Sequence, residues 1–131
     1  ADSLKGIRIL LVEDNAFNVV VAQEELEDAI EGVKVEVAEN GLIAVDKLKS
    51  STFDIILMDV QMPVMNGFEA TQAIRNLDSE KNNTPIIAMT ANVLKEEVDL
   101  CYKSGMNDFI GKPFETEELL NKIFNLINKI S

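Results

Sequence analysis

Acidic residues stand at two separated points of the chain where short apolar runs end. Glu13 and Asp14 directly follow one run, and Asp59 directly follows another. If the fold brings them together without a counterion, the three carboxylates repel one another and at least one pKa rises. A hard divalent cation removes this conflict, because Mg²⁺ prefers carboxylate, carbonyl and water oxygens. We expect Asp14 and Asp59 to bind it directly. Glu13 would act through water, and the backbone carbonyl of Gln61 would complete the ligand set.

A hydroxyl and an ammonium group follow two further apolar runs. Thr90 comes directly after residues 86–89, and Lys112 comes directly after the weaker run 107–111. A cavity with acids, a cation, a lysine and a hydroxyl is equipped for phosphoryl transfer, in which positioning and charge neutralisation supply most of the catalysis. Asp59 would be the nucleophile, forming an aspartyl phosphate. Lys112 would pair with one phosphoryl oxygen, and Thr90 would donate a hydrogen bond to another.

The apolar runs that precede these residues predict the strands of one sheet. Runs at 7–12, 55–58 and 86–89 are too apolar to have one face in water, so they predict buried parallel strands. Segment 33–37 alternates strictly and 107–111 is weaker, so both favour edge strands. The α/β strand order 2-1-3-4-5, a flavodoxin-like doubly wound sheet with helices on both faces, places them there. Its ligand crevice lies beyond the carboxyl ends of strands 1 and 3, where the three acids would meet.

Helical periodicity fills the gaps between the predicted strands. The first helix carries an apolar stripe made of Val19, Ala22, Leu26 and Ala29. Gly32 is expected to cap this helix, and Gly105 a later one. Three more helices are predicted near residues 41–50, 67–77 and 93–103. The last helix carries a stripe made of Leu119, Ile123, Ile127 and Ile130. Residues 82–83 are predicted to lie in a surface loop.

Composition bounds the function. The 131 residues suit one domain, which we expect to span residues 1–131. A net charge of -11 disfavours direct contact with nucleic acid. A single cysteine, Cys101, excludes an intrachain disulfide, and the absence of histidine excludes Ser-His-Asp and Cys-His catalytic sites. No apolar run approaches the roughly 18 residues that cross a bilayer, and no signal peptide opens the chain. We therefore expect a cytoplasmic location and no membrane contact by this domain.

Four motifs in this order resemble the receiver domain of two-component response regulators. They are Glu-Asp-Asn at 13–15, Met-Asp-Val-Gln-Met-Pro-Val-Met-Asn-Gly at 58–67, Thr-Ala at 90–91 and Lys-Pro-Phe at 112–114. The resemblance covers essentially the whole chain. It implies that Asp59 is the phosphoacceptor and that Glu13 and Asp14 are the acidic pair. Lys112 would contact the phosphoryl group, and Thr90 would be the switch hydroxyl.

The resemblance also implies a switching mechanism and a partner. Phosphorylation would draw Thr90 inward, admit the mobile aromatic Phe109 into the vacated space, and reshape the face formed by helix 4, strand 5 and helix 5. The phosphoryl donor would be a phosphohistidine on a histidine kinase or a histidine phosphotransfer domain, because this chain has no histidine. The Lys112–Pro113 bond would be cis. Such a domain catalyses only its own phosphorylation and slow self-dephosphorylation, and its oligomeric state, monomer or weak dimer, stays open.

Two residues depart from the family pattern. Asn66 stands where many members carry Asp, and Phe109 replaces the commoner Tyr. The segments 88–92 and 105–109 resemble receivers attached to hybrid sensor histidine kinases. Because the chain opens at Ala1 and no output domain follows Ile130, we expect an excised hybrid-kinase receiver, for which one origin is the cytoplasmic part of a larger membrane-bound sensor kinase.

Each signal also has a simpler interpretation. Glu13 and Asp14 alone would be solvated surface, Asp59 alone could cap a turn, and Thr90 alone could be the N-cap of a helix that starts at Asn92.

Apolar residues near the acids also have two interpretations. Met62, Val64 and Met65, together with residues of helix 1, could form a docking surface for the phosphoryl donor, or the methionines could simply pack the loop.

Other functions remain in competition with the receiver. The main rival is a Mg²⁺-dependent aspartate-nucleophile phosphohydrolase, but that class generally has an acid two residues after the nucleophile, where this chain has Gln61. A nucleotide- or flavin-binding module would need a glycine-rich loop after strand 1, and residues 13–17 contain no glycine. A degenerate receiver that only binds partners would lack part of this residue set.

Overall fold

The computed structural model describes residues 4–62, 64–91 and 93–128. The strands are β1 (Arg8–Val12), β2 (Lys34–Ala38), β3 (Ile55–Asp59), β4 (Ile86–Thr90) and β5 (Asp108–Gly111). The α-helices are α1 (Ala16–Ala29), α2 (Gly41–Ser50), α3 (Gly67–Arg75), α4 (Lys95–Ser104) and α5 (Thr116–Ile127). No helix in these ranges has both the length and the apolar character that crossing a bilayer requires.

The strands form one parallel sheet in the order β2-β1-β3-β4-β5. This confirms the predicted order, including the two edge strands: every residue of β3 and β4 is buried, whereas β2 and β5 are partly exposed. The register pairs Asp59 with Met89, and Thr90 with Gly111. The polar residues at the strand ends therefore emerge along the same edge of the sheet.

Two apolar layers cover the sheet, one on each face. Successive residues of β1 alternate between them, with Ile9 and Leu11 in one layer and Leu10 and Val12 in the other. The first layer packs against the buried stripes of α1 and α5, and the second packs against α2, α3 and α4. Burial on both faces explains why the central strands read as continuous apolar runs.

Several helix ends differ from the prediction. α1 ends at Ala29 with Ile30 as its C-cap, so Gly32 does not cap the helix and instead lies in the following turn with φ 73. A 3-10 helix, Glu80–Asn83, replaces the predicted loop at 82–83, and the hydroxyl of Ser79 accepts a hydrogen bond from its backbone. Ile130, the last member of the predicted α5 stripe, is outside the described residues.

α4 begins later than predicted. Its first residue is Lys95 and its N-cap is Leu94, so Thr90 does not cap this helix and remains the last residue of β4. Asn92, the start proposed for that capped helix, is outside the described residues. At the other end, Gly105 is the C-cap with φ 111, as predicted, a conformation that glycine adopts without a Cβ penalty.

Arg75 connects three segments at the end of the sheet opposite the acids. Its guanidinium donates hydrogen bonds to the carbonyl oxygens of Gly105 (2.9 Å), Asn82 (2.7 Å) and Thr84 (2.8 Å), and to the side-chain oxygen of Asn107 (2.8 Å). This half-buried cation therefore joins the last turn of α3, the 3-10 helix and the C-terminal end of α4.

Candidate functional site

A cavity of about 270 Å³ opens at the carboxyl edge of the sheet, where the strand order reverses between β1 and β3. Every metal or phosphoryl ligand predicted from the sequence lines it: Glu13, Asp14, Asp59, Gln61, Thr90 and Lys112. The cavity also has a wall that the sequence did not predict, formed by Glu97 of α4. Five segments separated in the chain thus supply charged or polar groups to a single opening.

The three predicted acids lie close together. One carboxylate oxygen of each of Glu13, Asp14 and Asp59 lies within 4.8 Å of the others. Glu13 and Asp59 are buried, with 3% and 4% of their surface exposed, whereas Asp14 is exposed. A set of oxygen ligands with one side open to solvent fits Mg²⁺, which takes few carboxylates and keeps several waters.

Lys112 bridges the two buried acids. Its Nζ lies 3.2 Å from Asp59 Oδ1 and 3.2 Å from Glu13 Oε1. The other oxygen of Glu13 accepts a hydrogen bond from the backbone N–H of Asn15 at 3.1 Å. Burial opposes the charge of Lys112, but the negative charges of Asp59 and Glu13 outweigh burial and raise the pKa of the ammonium. The lysine is therefore firmly charged.

The loop after β5 holds this lysine in place. The backbone N–H of Lys112 donates to the carbonyl of Thr90 at 2.8 Å, which continues the β4–β5 ladder by one residue. The Lys112–Pro113 peptide bond is cis, as the resemblance implied.

Asp59 has a perturbed carboxyl group. Burial, followed by the charge of Glu13, raises the pKa of Asp59 from 3.8 to about 6, although Lys112 partly offsets both effects. The contribution of Glu13 agrees with the expectation that converging acids raise at least one pKa, whereas the larger effect of burial was not part of that expectation. The N–H of Gln61 adds a long hydrogen bond to Asp59 Oδ1, at 3.4 Å. At neutral pH the carboxylate is mostly ionised, as a nucleophile must be.

The start of α3 fixes the backbone beneath Asp59. Gly67 donates its N–H to the carbonyl of Val60 at 2.9 Å, and a Cβ on Gly67 would lie 2.5 Å from the carbonyl oxygen of Asp59. Just before it, Asn66 and Glu69 form a capping box, each side chain accepting a hydrogen bond from the other residue's backbone N–H. Asn and Asp are equally good N-caps, which gives Asn66 a structural role despite the departure from the family pattern.

Thr90 is buried at the end of β4, and its hydroxyl donates a hydrogen bond to the carboxylate of Glu97. The acid belongs to the first turn of α4, seven residues further along the chain. No signal in the sequence distinguishes it from its neighbour Glu96, since acids are common in the first turn of any helix.

Phe109 lies outside the cavity lining. Its half-buried ring makes an edge-to-face contact with Tyr102 of α4, with 6.3 Å between centroids and an angle of 87°. From α5, the Nζ of Lys122 lies 5.2 Å from the centre of the Phe109 ring and 3.2 Å from the carboxylate of Asp108. The ring thus touches both helices that border β5, and its predicted role as a mobile aromatic stays a prediction.

With the geometry in place, comparison with known proteins identifies the family. The family model of the response regulator receiver domain matches residues 9–124 of this chain. The chain belongs to this family. The resemblance inferred from the four motifs is therefore confirmed, and so is membership of the two-component phosphorelay.

Relatives of this receiver domain include parts of hybrid kinases. Sensor histidine kinase GacS of Pseudomonas protegens is 40% identical over 119 residues, a match that covers 89% of this chain but 13% of the relative. The receiver domain thus corresponds to a small part of that kinase. The receiver domain of sensor histidine kinase PA1611 from Pseudomonas aeruginosa, solved with magnesium in its active-site cleft, is 38% identical with a TM-score of 0.86. That match covers 94% of this chain and 98% of the other.

A second solved relative was captured with a partner. It is the Saccharomyces cerevisiae co-crystal structure of the histidine phosphotransfer protein Ypd1 and the receiver domain of the response regulator Ssk1. The similarity is 31% identity with a TM-score of 0.83, covering 94% of this chain and 90% of the matched one.

Proposed function

We propose that residues 1–131 act as one phosphorylation-dependent switch, which accepts a phosphoryl group on Asp59 from a phosphohistidine of a histidine kinase or phosphotransfer domain. The observation that carries this proposal is the buried Asp59 carboxylate in an open cavity, 3.2 Å from the ammonium of Lys112 and grouped with two other acids. The Ypd1 complex of a relative supports a phosphotransfer partner.

The chemical step is a direct transfer between the two side chains. A carboxylate oxygen of Asp59 attacks phosphorus, so that a P–O bond forms while the P–N bond to the donor imidazole breaks. The electron pair of the broken bond stays on the imidazole nitrogen, and the ring takes up one proton from water, so that it leaves as neutral histidine. Lys112 balances charge on the phosphoryl oxygens, and the Thr90 hydroxyl donates a hydrogen bond to one of them. Self-dephosphorylation is the slow attack of water on the same phosphorus.

Mg²⁺ is the proposed cofactor of this step. Asp14, Asp59 and the Gln61 carbonyl would hold it directly and Glu13 through water, and the bound ion would supply neutralisation of charge on the transferred group. The clustered carboxylate oxygens support this assignment, as does the magnesium bound in the cleft of the PA1611 receiver domain.

The donor would dock on apolar side chains beside the cavity. Phe17 and Val20 of α1 and Val64 of the loop after β3 are 75%, 50% and 76% exposed. In contrast, Met62 and Met65 are partly buried against the sheet layer, so they contribute mainly to packing. Of the two interpretations of this loop, docking thus suits Val64, and packing suits the methionines.

The relatives also indicate in what kind of protein the domain would work. By analogy with the relatives, the domain would work inside a longer hybrid kinase, in the cytoplasm. The phosphohydrolase alternative is disfavoured by Gln61, which lines the cavity where that class places a proton-transferring acid.

Phosphorylation with acetyl phosphate and Mg²⁺, followed by intact mass measurement, tests the function. The wild-type chain should gain one phosphoryl group and Asp59→Asn none. Asp46→Asn, which removes an exposed carboxylate from α2, should still gain one. Phosphorylation of the Asp59→Asn variant would overturn the assignment of the acceptor. Steady turnover of small phosphate esters by the wild type would instead favour the phosphohydrolase.

A further inference from the structure

Glu97 adds a fourth carboxylate to the phosphoacceptor cavity, from a helix rather than from a strand end. It lies in the first turn of α4, lines the cavity, and accepts the hydroxyl hydrogen bond of Thr90. Its neighbour Glu96 is in the same turn but is exposed and does not line the cavity. Two identical acids therefore differ only in where they point.

The position of Glu97 along α4 agrees with this inward orientation. Cys101 follows it by one helical turn and is completely buried against the sheet. Burial and the nearby charge of Glu97 together raise the pKa of the Cys101 thiol to about 11. The carboxylate therefore sits between the cavity and the inner face of α4.

We propose that Glu97 is a positioning residue that holds Thr90 against α4 in the unphosphorylated chain and transmits phosphorylation to this helix. The proposal rests on the proposed function. A threonine hydroxyl has one proton to donate, so Thr90 cannot donate to Glu97 and to a phosphoryl oxygen at the same time. Phosphorylation also replaces the single negative charge of the Asp59 carboxylate with the roughly 1.5 to 2 negative charges of a phosphoryl group, in a cavity that Glu97 already lines. Loss of the hydrogen bond and repulsion of the carboxylate both act to release the first turn of α4.

The two glutamates provide a matched pair of variants. Glu97→Gln removes the charge that repels the phosphoryl group and weakens the bond to Thr90, whereas Glu96→Gln removes the same charge from the solvent side. With saturating Mg²⁺ and acetyl phosphate, Glu97→Gln should speed phosphorylation of Asp59 by about fivefold, the effect of one unit charge a few ångströms away in water. Glu96→Gln should change the rate by less than about twofold, because an exposed charge is screened.

Amide hydrogen exchange in α4 measures whether the Thr90–Glu97 hydrogen bond stabilises the first turn of this helix. In the wild type, exchange in the first turn should accelerate on phosphorylation, whereas in Glu97→Gln it should be fast already. In a Thr90→Ala background, Glu97→Gln should have no further effect on exchange, because the bond it breaks is gone. Glu97→Asp keeps the charge on a shorter side chain, so it should loosen α4 without the gain in rate.

The outcomes distinguish a failure of the proposed role of Glu97 from a failure of the proposed phosphorylation of Asp59. If Glu97→Gln matches Glu96→Gln in both rate and α4 exchange, or acts equally with and without the Thr90 hydroxyl, the coupling role is wrong. If the wild type gains no phosphoryl group, the proposed function fails instead. The exchange measurements on unphosphorylated chains need no phosphorylation, so they decide the Thr90–Glu97 link in either case.

Discussion

Replacing Asp59 with Asn should stabilise the metal-free domain at neutral pH while removing its nucleophile. The folded chain holds the pKa of Asp59 at about 6 against an ordinary value of 3.8, mainly because of burial and the charge of Glu13. At about 1.4 kcal/mol per pH unit, this difference corresponds to about 3 kcal/mol of destabilisation by the ionised carboxylate. The Asn side chain keeps an oxygen for Lys112 but loses its charge, so we expect a net gain of roughly 1–3 kcal/mol.

The pH dependence of this gain has a defined sign. Below pH 3.8 the Asp59 carboxyl is protonated in both the folded and the unfolded chain, so it adds no penalty. As the pH rises, the unfolded chain ionises first, and the folded state loses stability until the pH passes about 6. The advantage of Asp59→Asn should therefore grow between about pH 4 and pH 6 and then level off.

Urea denaturation at pH 4.5 and pH 7.5, in the presence of a chelator, measures the effect. The control Asp46→Asn, an exposed position paired with Lys49 at 3.8 Å, should change the unfolding free energy by less than about 0.5 kcal/mol at either pH. Saturating Mg²⁺ should raise wild-type stability more than that of Asp59→Asn and narrow the gap. A variant less stable than the wild type at pH 7.5, or a gain equal at both pH values, would refute the electrostatic account.

Three further substitutions test the surroundings of the acceptor. Lys112→Met removes the cation that offsets burial, so it should raise the pKa of Asp59 above about 6 and move the acid limb of the phosphorylation pH profile upward. Gly67→Ala would place a Cβ 2.5 Å from the carbonyl oxygen of Asp59, and urea denaturation should show a loss of about 1–3 kcal/mol. Asn66→Ala should cost about 1 kcal/mol through the lost N-cap. Asn66→Asp should preserve the unfolding free energy within a few tenths of a kcal/mol, and a loss equal to that of Ala would exclude the capping role.

The sheet could be predicted from the sequence because a strand that is buried on both faces appears as a continuous apolar run. Strands β3 and β4 are buried at every position, and their apolar runs end where Asp59 and Thr90 begin. Parallel strands then bring these ends to one edge, so the part of the cavity lining that comes from the strand ends followed from position alone. The same rule placed Lys112 beside Asp59, although the sequence did not show that the lysine also pairs with Glu13.

Contacts made by helix surfaces were harder to predict. Glu97 reaches Thr90 because α4 starts at Lys95, which turns one of two adjacent acids inward; a shift of one residue would have turned the other. Its start at Lys95 also has no side-chain cap, so the usual marker of a helix N-terminus is absent. The 3-10 helix at Glu80–Asn83 is held mainly by local hydrogen bonds and by Arg75, which periodicity does not reveal.

The hydrogen bonds of Arg75 determine how α4 can respond. The guanidinium donates a hydrogen bond to the carbonyl of Gly105, the C-cap of the helix, while Glu97 near the opposite end accepts a hydrogen bond from Thr90 of β4. If the first turn of α4 is released while Gly105 stays bonded to Arg75, the helix should rotate about its C-terminal end and should not shift along its axis. The largest displacement should therefore occur near Leu94, whose side chain is 62% exposed, and should fade towards Gly105. Loss of the Thr90–Glu97 hydrogen bond in the cavity would therefore change the direction of α4 and the outer surface that this helix presents.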